Sequence, residues 1–316
     1  MAKDEAGHLT KTLDSARAHI DSVVLLDTGS TDDTIDEVRE WCEENKKEFF
    51  VKETKFVDFG TSRNEALTFA DSVAGADYYL LLDANDELSG DPTAWFEEAP
   101  NTDGFMMCVK LTGAERTLDF FNVRLIKAKR GWKYVGSVHE YLALPNAAIA
   151  RLPKDVYIVQ NRDNDGNKSA ARYERDYKAL LQEVHQTPSA QCARALFYLA
   201  RTCHSLGRAD EAIKYYTFRA GMQDTFEEER FWSYIGLARI TKNPYYLVAA
   251  YELRPRAEPL VDLAKMYAQK RMFRIAHLFA AQACELEIPT GDISFVDATL
   301  YEKDRWEILK LLKELL

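Results

Sequence analysis

The sequence predicts an α/β domain with a mostly parallel sheet, followed by an all-α domain. Short, fully apolar segments alternate with amphipathic helical patterns in the first half, and two of these segments end in acidic, turn-rich loops. From about residue 169 onward the pattern is helical almost to the end of the chain. We place the boundary in the polar stretch 161–168, which gives domains at 1–165 and 166–316.

Composition and charge narrow the class of protein. With 47% hydrophobic and 29% charged residues, the 316-residue chain is expected to be globular and long enough for two cores. The net charge of −10 disfavours a nucleic-acid partner. Residues 1–165 carry 19 basic and 31 acidic residues, against 22 and 20 in the remainder. The acidic half fits a domain that holds a cation with carboxylates, although a solvated acidic surface is the simpler explanation.

Cysteine usage and hydropathy predict the compartment. The five cysteines include no C-x-x-C pair, and their odd number indicates reduced thiols. No apolar run approaches the roughly 20 residues of a membrane span, and the N-terminus is polar. We therefore expect a cytoplasmic protein without a membrane span.

The first half alternates predicted helices and strands. Helices are predicted over 8–20, from the Asp27 loop to about Asn45, and over about 61–74. Strands are predicted over 22–26, 48–52, 78–82, 105–109, 120–126 and 156–159. Because ligands of such sheets bind at the carboxyl ends of the strands, the loops at Asp27 and Asp83 should lie on one rim.

Asp83-Ala84-Asn85-Asp86 is the most informative motif. A hydrophobic strand delivers several oxygen ligands at one point, and Mg²⁺ and Mn²⁺ prefer such hard oxygen donors. A bound cation neutralises a nucleoside diphosphate as it leaves. By itself the motif is weak, because aspartate is common in turns and helix caps.

Two further loops add polar groups. Gly29 permits a tight turn, Ser30 is a good helix cap, and Asp27 at the strand end is placed to face a base or ribose. After a turn at Gly60, Arg63 supplies a cationic fork suited to phosphate or carboxylate. On its own, Arg63 is better explained as a structural ion-pair residue.

His139 and Glu140 follow a loop rich in glycine and aromatic residues. A lone histidine is usually a structural polar residue. A histidine beside a glutamate, downstream of an acidic motif, is a candidate metal ligand next to a candidate general base.

The helical half contains an internal repeat at tetratricopeptide spacing. Leu199-Ala200 and Ala212 recur 64 residues later as Leu263-Ala264 and Ala276. Such repeats form a concave surface that could hold an acceptor. The alternatives are that the helices pack against the first domain or form a homo-oligomer contact.

Taken in order, these motifs resemble family 2 glycosyltransferases of the GT-A, Rossmann-like fold, in the subgroup that continues into tetratricopeptide-like helices. The motifs are Lys3-Asp4-Glu5, the Asp27–Thr34 loop, Gly60-x-x-Arg63-Asn64, Asp83-Ala84-Asn85-Asp86, and Trp132-x-Tyr134-x-Gly136-x-x-His139-Glu140. The resemblance covers most of the chain.

The resemblance implies roles for individual residues. The nucleotide-sugar donor would be bound by Lys3, Glu5, Asp27, Gly29, Ser30, Gly60, Arg63, Asp83, Ala84 and Asn85. A divalent cation, Mn²⁺ or Mg²⁺, would be held by Asp83, Asn85, Asp86 and His139. The base that takes the acceptor proton would be Glu140, with Asp119 as a second candidate.

The chain departs from the family pattern at three points. The strand that normally precedes the Lys3 segment is missing or nearly so. Asp4 replaces the usual asparagine. Asn85 replaces the second aspartate of the D-x-D element and brings an amide oxygen without charge, for which Asp86 could compensate.

The leading hypothesis is a metal-dependent inverting glycosyltransferase that uses a nucleoside-diphosphate sugar, with UDP favoured, and a protein, peptide or glycan acceptor. A variant places a hydroxymethylated base of phage DNA as the acceptor. The second hypothesis is a degenerate nucleotide-sugar-binding scaffold, and the third is a nucleotidyltransferase that releases pyrophosphate.

Overall fold

The computed structural model describes residues 1–96, 99–112, 118–161, 170–187, 192–223 and 225–316. The chain forms two compact units. Unit 1 comprises Met1–Ala114 and Phe120–Asn164, and unit 2 comprises Glu115–Asp119 and Asp165–Leu316. The predicted domain boundary falls within 162–169, outside the described residues.

Strands and helices alternate along the first part of the chain. The helices are α1 (Leu9–Ala16), α2 (Thr34–Glu44) and α3 (Phe59–Val73). The strands are β1 (Ser22–Asp27), β2 (Glu48–Glu53), β3 (Tyr78–Leu80), β4 (Asp86–Ser89), β5 (Gly104–Thr112), β6 (Leu118–Lys127), β7 (Lys133–Val135), β8 (Tyr141–Ala143), β9 (Ile149–Arg151) and β10 (Tyr157–Asn161). Short 3₁₀ turns follow α1 at Arg17–His19 and lie at Thr93–Trp95.

The strands of unit 1 form two main groups. β1 and β2 pair in parallel, with Val24 opposite Phe50. The larger sheet has the order β6-β5-β10-β4, with β3 on β6 and β9 on β5. β5 is parallel to β10 and β9, whereas β3 is antiparallel to β6 and β4 is antiparallel to β10. The predicted α/β class is confirmed, and the strand pairing is more mixed than predicted.

Two apolar cores support these strands. In the first, α2 places Val38, Trp41 and Cys42 against Leu25 of β1, at the i, i+3, i+4 spacing of one helix face. In the second, α3 contributes Leu67 and other small or apolar residues to a core shared with β3 and β6. The apolar patterns read from the sequence therefore correspond to buried faces.

Element boundaries differ from the prediction at two functional motifs. α3 begins at Phe59, so Gly60 lies in its first turn rather than in a preceding turn. Asp58 caps this helix by accepting the Thr61 N–H at 2.7 Å. β3 ends at Leu80 and β4 begins at Asp86, so Asp86 is a buried strand residue rather than a loop residue.

The segment before α1 contributes one position of strand pairing. Ala2 forms an isolated parallel bridge with Asp27. Its N–H donates to the Leu26 carbonyl at 3.0 Å, and its carbonyl accepts the Thr28 N–H at 2.9 Å. Ala2 therefore adds one parallel position beside β1, on the side opposite β2.

Unit 2 is helical. Its helices are α4 (Ala170–Gln186), α5 (Ala193–Ser205), α6 (Ala209–Gly221), α7 (Glu227–Thr241), α8 (Pro244–Leu253), α9 (Ala257–Gln269), α10 (Phe273–Glu285) and, after the short strand β11 (Val296–Asp297) and a π-helical turn at Leu300–Asp304, α11 (Arg305–Glu314). Helices that follow one another in the chain pack together, and the small residues of the repeat are fully buried. Their assignment to the tetratricopeptide class stays a prediction.

A buried polar network fixes the end of unit 2. Arg256 is 2% exposed, pairs with Glu258, and donates to Asp292 Oδ2 at 2.8 Å and to the Phe295 carbonyl at 2.9 Å. The Tyr301 hydroxyl donates to Glu258 Oε2 at 3.0 Å. In the same unit, β11 pairs antiparallel with residues 118–119. Segment 292–301 therefore completes the hydrogen bonding of buried charges at the N-terminal end of α9.

Other sequence-level expectations concern thiols and membranes. All five cysteines are buried and none forms a disulfide. Within the described ranges, no helix is both long and apolar enough to cross a bilayer.

Candidate functional site

The loop after β1 is shaped by Asp27. This side chain is 1% exposed, and its Oδ1 accepts the N–H groups of Gly29 and Ser30, both at 2.9 Å. The Ser30 hydroxyl donates to its other oxygen. Burial alone would raise the pKa of Asp27, but these hydrogen bonds outweigh it and hold the pKa below the ordinary value. Asp27 is therefore ionised and holds the loop in place.

The Lys3 segment docks on the same loop. Asp4 Oδ1 accepts the Thr31 N–H at 2.7 Å, and the Asp4 N–H donates to Ser30 Oγ at 3.0 Å. The Glu5 N–H donates to Thr34 Oγ1 at 2.8 Å. Lys3 itself is exposed. The first two sequence motifs thus form one structural element.

Arg63 connects two other motifs. Its Nη2 lies 2.5 Å from Asp83 Oδ1, and its Nε lies 2.7 Å from Glu140 Oε1. Its guanidinium lies over the Tyr134 ring, 5.4 Å from the centroid. Burial disfavours the charge, but Asp83, Tyr134 and Glu140 outweigh it and raise the pKa of Arg63. Arg63 is a permanent cation between two carboxylates.

The turn containing Gly60 packs directly on the loop that leads to Glu140. A Cβ on Gly60 would lie 2.5 Å from the Gly136 carbonyl oxygen, so only glycine allows this approach. The Asn64 amide donates to the Tyr134 carbonyl at 2.9 Å and accepts the Tyr134 N–H at 2.7 Å. These contacts explain why Gly60, Arg63 and Asn64 occur together as a motif.

A second arginine neutralises the acidic loop. Arg124 on β6 is 7% exposed and lies 3.2 Å from Asp83 Oδ2 and 3.3 Å from Asp86 Oδ2. Gln160 donates to Asp86 Oδ1 at 2.5 Å, and the Asp83 N–H donates to Asp86 Oδ2 at 2.8 Å. Arg124 and Gln160 are not among the site residues predicted from the sequence. A charged residue inside the apolar run of β6 was the available signal.

The two aspartates of this cluster have opposite electrostatic environments. Burial opposes ionisation of Asp83, but Arg124 and Arg63 outweigh it and hold the pKa well below the usual range. Asp86 is fully buried, and its burial, reinforced by the charge of Asp83, raises its pKa despite Arg124. Asp83 is the fixed anion of the cluster, and Asp86 is the group that most readily takes a proton.

A comparison of the chain with models of protein families finds one match, in the part that contains the Asp27, Arg63 and Asp83 motifs. Residues 1–97 match the model of the family described as glycosyl transferase family 2. This segment is a family 2 glycosyltransferase domain. Among curated proteins, no sequence matches the chain.

Solved structures include distant neighbours of this chain. BtubC (BKLC) from P. vanneervenii is 17% identical over 49% of this chain and 68% of its own, with a TM-score of 0.38. A fragment of S. aureus TarS is 13% identical over 94% of both chains, with a TM-score of 0.38. The same fragment in complex with UDP is 14% identical over 94% of both chains, with a TM-score of 0.36. The fold assignment rests on the strands and helices described above and on the family match.

The predicted metal ligands were Asp83, Asn85, Asp86 and His139. Both Asp83 oxygens contact guanidinium groups, and both Asp86 oxygens accept hydrogen bonds. Asn85 and His139 are exposed. Within the described ranges, no three His, Cys, Asp or Glu residues are grouped so that they could hold an ion. In this arrangement the four residues do not fit a cation site.

The remaining predicted residues divide between the two units. Glu140, 13% exposed, joins the Arg63 cluster of unit 1. Asp119 belongs to unit 2, where it pairs with Val296 of β11. The Ala84 carbonyl accepts the Thr12 hydroxyl of α1 at 2.8 Å. The structure therefore brings Glu140 into one cluster with Arg63 and Asp83.

Proposed function

We propose that this glycosyltransferase moves a sugar from a nucleoside-diphosphate sugar, with UDP as the favoured nucleotide, to an acceptor hydroxyl with inversion at the anomeric carbon. The observation that carries the proposal is the bridge that Arg63 makes between Asp83, which lies with it in the segment that matches family 2, and Glu140 further along the chain. A fixed cation lies there between a carboxylate suited to sugar hydroxyls and a carboxylate suited to proton transfer.

Arg63 and Arg124 are the groups that would bind the diphosphate. A guanidinium matches phosphate oxygens with paired, charge-assisted hydrogen bonds. Asp83 already has two cationic partners, so one guanidinium can turn to the phosphate without leaving Asp83 unpaired. Stabilising the negative charge that develops on the leaving diphosphate is the main electrostatic requirement of the reaction.

Glu140 is the proposed base. When Arg63 contacts phosphate, Glu140 is released from its 2.7 Å ion pair and becomes the stronger proton acceptor. It takes the proton of the acceptor hydroxyl as that oxygen bonds to the anomeric carbon. The bond from this carbon to the phosphate oxygen breaks, and the nucleoside diphosphate leaves with the electron pair.

A divalent cation is the part of the original hypothesis that the cluster supports least. An ion bound by Asp83 would have to displace a guanidinium from it. We therefore propose that donor binding persists without Mn²⁺ or Mg²⁺, and no step above uses one. A protein, peptide or glycan acceptor stays the favoured class, since the net charge of −10 disfavours DNA.

The test combines donor binding with product release. A panel of nucleotide sugars is scored for thermal stabilisation with Mn²⁺ and with a chelator, because a ligand of the folded state raises the melting temperature. We expect a UDP-sugar to stabilise the parent in both conditions and to release UDP slowly by hydrolysis.

Two variants locate the effect. Arg63→Gln should abolish the donor-dependent shift, whereas Arg39→Gln on the exposed face of α2 should retain it. No shift and no released nucleoside diphosphate with any donor would identify a scaffold and refute the enzyme. Release of pyrophosphate would identify a nucleotidyltransferase. A shift that is lost with the chelator would refute the metal-independent part of the proposal.

A further inference from the structure

One end of β6 lies at the rim of the sheet that carries the acidic cluster. β6 runs antiparallel to β3, and the pairing continues to the Leu81 N–H, which donates to the Arg124 carbonyl at 2.7 Å. Two positions nearer the rim, the same register places Asn122 level with Asp83. Asn122 therefore lies beside the Asp83 motif, at the end of the sheet where ligands of such folds bind.

The side chain of Asn122 lies on the same face of β6 as that of Arg124. Alternate residues of a strand share one face, and about 7 Å separates their Cα atoms. On the other face, the Phe121 ring is covered by the Arg151 guanidinium, which lies 4.3 Å from the ring centroid. Arg124 reaches both aspartates of the acidic cluster from its own face. Asn122 therefore belongs to the face that forms this cluster.

The carboxamide of Asn122 is available to a ligand. The residue is partly exposed, and within the described ranges no group forms a hydrogen bond with its side-chain amide. In contrast, both oxygens of Asp83 and both oxygens of Asp86 already have partners. An asparagine amide both donates and accepts hydrogen bonds, as a sugar hydroxyl does. Asn122 thus offers hydrogen bonds suited to a sugar beside charges that are already paired.

We infer that Asn122 binds a hydroxyl group of the donor sugar and determines which sugar the protein accepts. The inference rests on the proposed function, in which Arg63 and Arg124 bind the diphosphate. The sugar is bonded directly to that diphosphate, so its hydroxyl groups come within reach of a side chain about 7 Å along the strand from Arg124. A site that hydrogen-bonds a substrate hydroxyl discriminates against a sugar without it, because the polar group of the protein is then left unpaired.

The first test separates binding of the sugar from binding of the nucleotide. UDP, UDP-glucose, UDP-galactose and UDP-N-acetylglucosamine are titrated by calorimetry into the full chain and into Asn122→Leu, which replaces the amide by an apolar group of similar size. We expect the variant to bind the UDP-sugar that the parent prefers about tenfold more weakly, the effect of one lost hydrogen bond. Its affinity for UDP should change by less than about twofold, because UDP lacks the transferred sugar.

A second experiment identifies the hydroxyl group. Deoxy analogues of the preferred UDP-sugar, each lacking one hydroxyl, are titrated into both proteins. In the parent, one analogue should bind about tenfold more weakly than the complete sugar, because it cannot bond to Asn122. In Asn122→Leu, the same analogue should bind as well as the complete sugar, since the effects of removing two groups that contact each other do not add.

Asn101→Leu is the matched control. Asn101 is exposed in unit 1 and follows Pro100, whose carbonyl accepts a hydrogen bond from the Lys127 ammonium at the opposite end of β6. This variant should bind every ligand as the parent does. If Asn122→Leu does not fold, Asn122→Ala takes its place, because alanine adds no bulk, and the same losses are expected.

The results for the nucleotide and for the sugar distinguish this inference from the proposed function. Equal losses of affinity for UDP and for the UDP-sugar would overturn the assignment of Asn122, as would an unchanged sugar preference in the variant. Either result leaves the proposed function intact, because the parent still binds a donor. If none of the three UDP-sugars binds to the parent, the proposed function fails and this inference fails with it.

Discussion

Arg124→Met is the substitution that most directly tests the charge balance of the acidic cluster. Arg124 contacts both aspartates of the cluster. It lies 3.3 Å from Oδ2 of the buried Asp86 and 3.2 Å from Oδ2 of Asp83. Methionine keeps much of the side-chain volume and removes the charge. Asp83 retains Arg63, but Asp86, which is 0% exposed, loses its guanidinium partner.

The expected loss in the free energy of unfolding follows from the burial of Asp86. Breaking a buried ion pair by removing one partner costs about 3–5 kcal/mol, and the remaining Arg63 contact favours the lower end of that range. With a urea m-value of about 2 kcal/mol/M, a loss of about 3 kcal/mol lowers the unfolding midpoint by about 1.5 M. Tryptophan fluorescence reports the transition, because Trp41 and Trp132 are buried in unit 1.

The same variant should have a characteristic pH dependence. The pKa of Asp86 is already raised by burial, and removing Arg124 raises it further. A carboxyl with a raised folded-state pKa binds its proton more tightly in the folded state, so stability increases as the pH falls through that pKa towards the unfolded-state pKa. As the pH falls from neutrality towards the ordinary aspartate pKa of about 4, the variant should therefore regain part of its loss, whereas the depressed pKa of Asp83 acts only below about pH 4.

The control is Asp86→Asn combined with Arg124→Met. Removing the buried charge should abolish the pH-dependent recovery and restore part of the lost stability at neutral pH. If Arg124→Met alone unfolds at the parental urea concentration, or becomes less stable on acidification over the same pH range, the assignment of Asp86 as an anion held by Arg124 is wrong.

Three further substitutions have matched or internal controls. Gly60→Ala places a Cβ 2.5 Å from the Gly136 carbonyl oxygen. It should lower the free energy of unfolding in urea by about 1–3 kcal/mol and weaken donor binding. In the control Gly75→Ala, the new Cβ meets no atom within 4 Å, so neither stability nor donor binding should change. Gly236→Ala drives a Cβ to 2.6 Å from a tyrosine ring and should lower the melting temperature of the helical unit, with Gly221→Ala as the open-space control. Asp27→Asn should lose about 1–2 kcal/mol at neutral pH, and its deficit should shrink as pH falls below about 4, because the depressed pKa of Asp27 means that its contribution is lost on protonation. An unchanged deficit at low pH would contradict this role of the carboxylate.

The sequence predicted the elements of unit 1 well because local apolar patterns determine them. Strands at 22–26 and 48–52 are found at Ser22–Asp27 and Glu48–Glu53, and the helix predicted over 61–74 is found at Phe59–Val73. The loops named as motifs also contact one another, as Arg63 does with Asp83 and Glu140. Motif order therefore gave a sound hypothesis about which segments meet.

The charge state of the cluster could not be predicted in the same way. Oxygen-bearing side chains at 83, 85 and 86 looked like cation ligands because their partners were unknown. Arg124 and Gln160 arrive from β6 and β10, tens of residues downstream, and no local periodicity encodes that approach. Whether an aspartate binds a metal or an arginine depends on such long-range contacts, which determine its free lone pairs.

The buried polar network of unit 2 has a practical consequence for shortening the chain at its C-terminal end. Arg256 and Glu258 are both about 2% exposed, and their partners include Asp292, Phe295 and Tyr301. In a chain that ends after α10, the buried Arg256 guanidinium and the buried Glu258 carboxylate would lose those hydrogen bonds. Segment 292–301 therefore stabilises the helical unit. Shortened chains should be soluble and well folded only if they retain this segment.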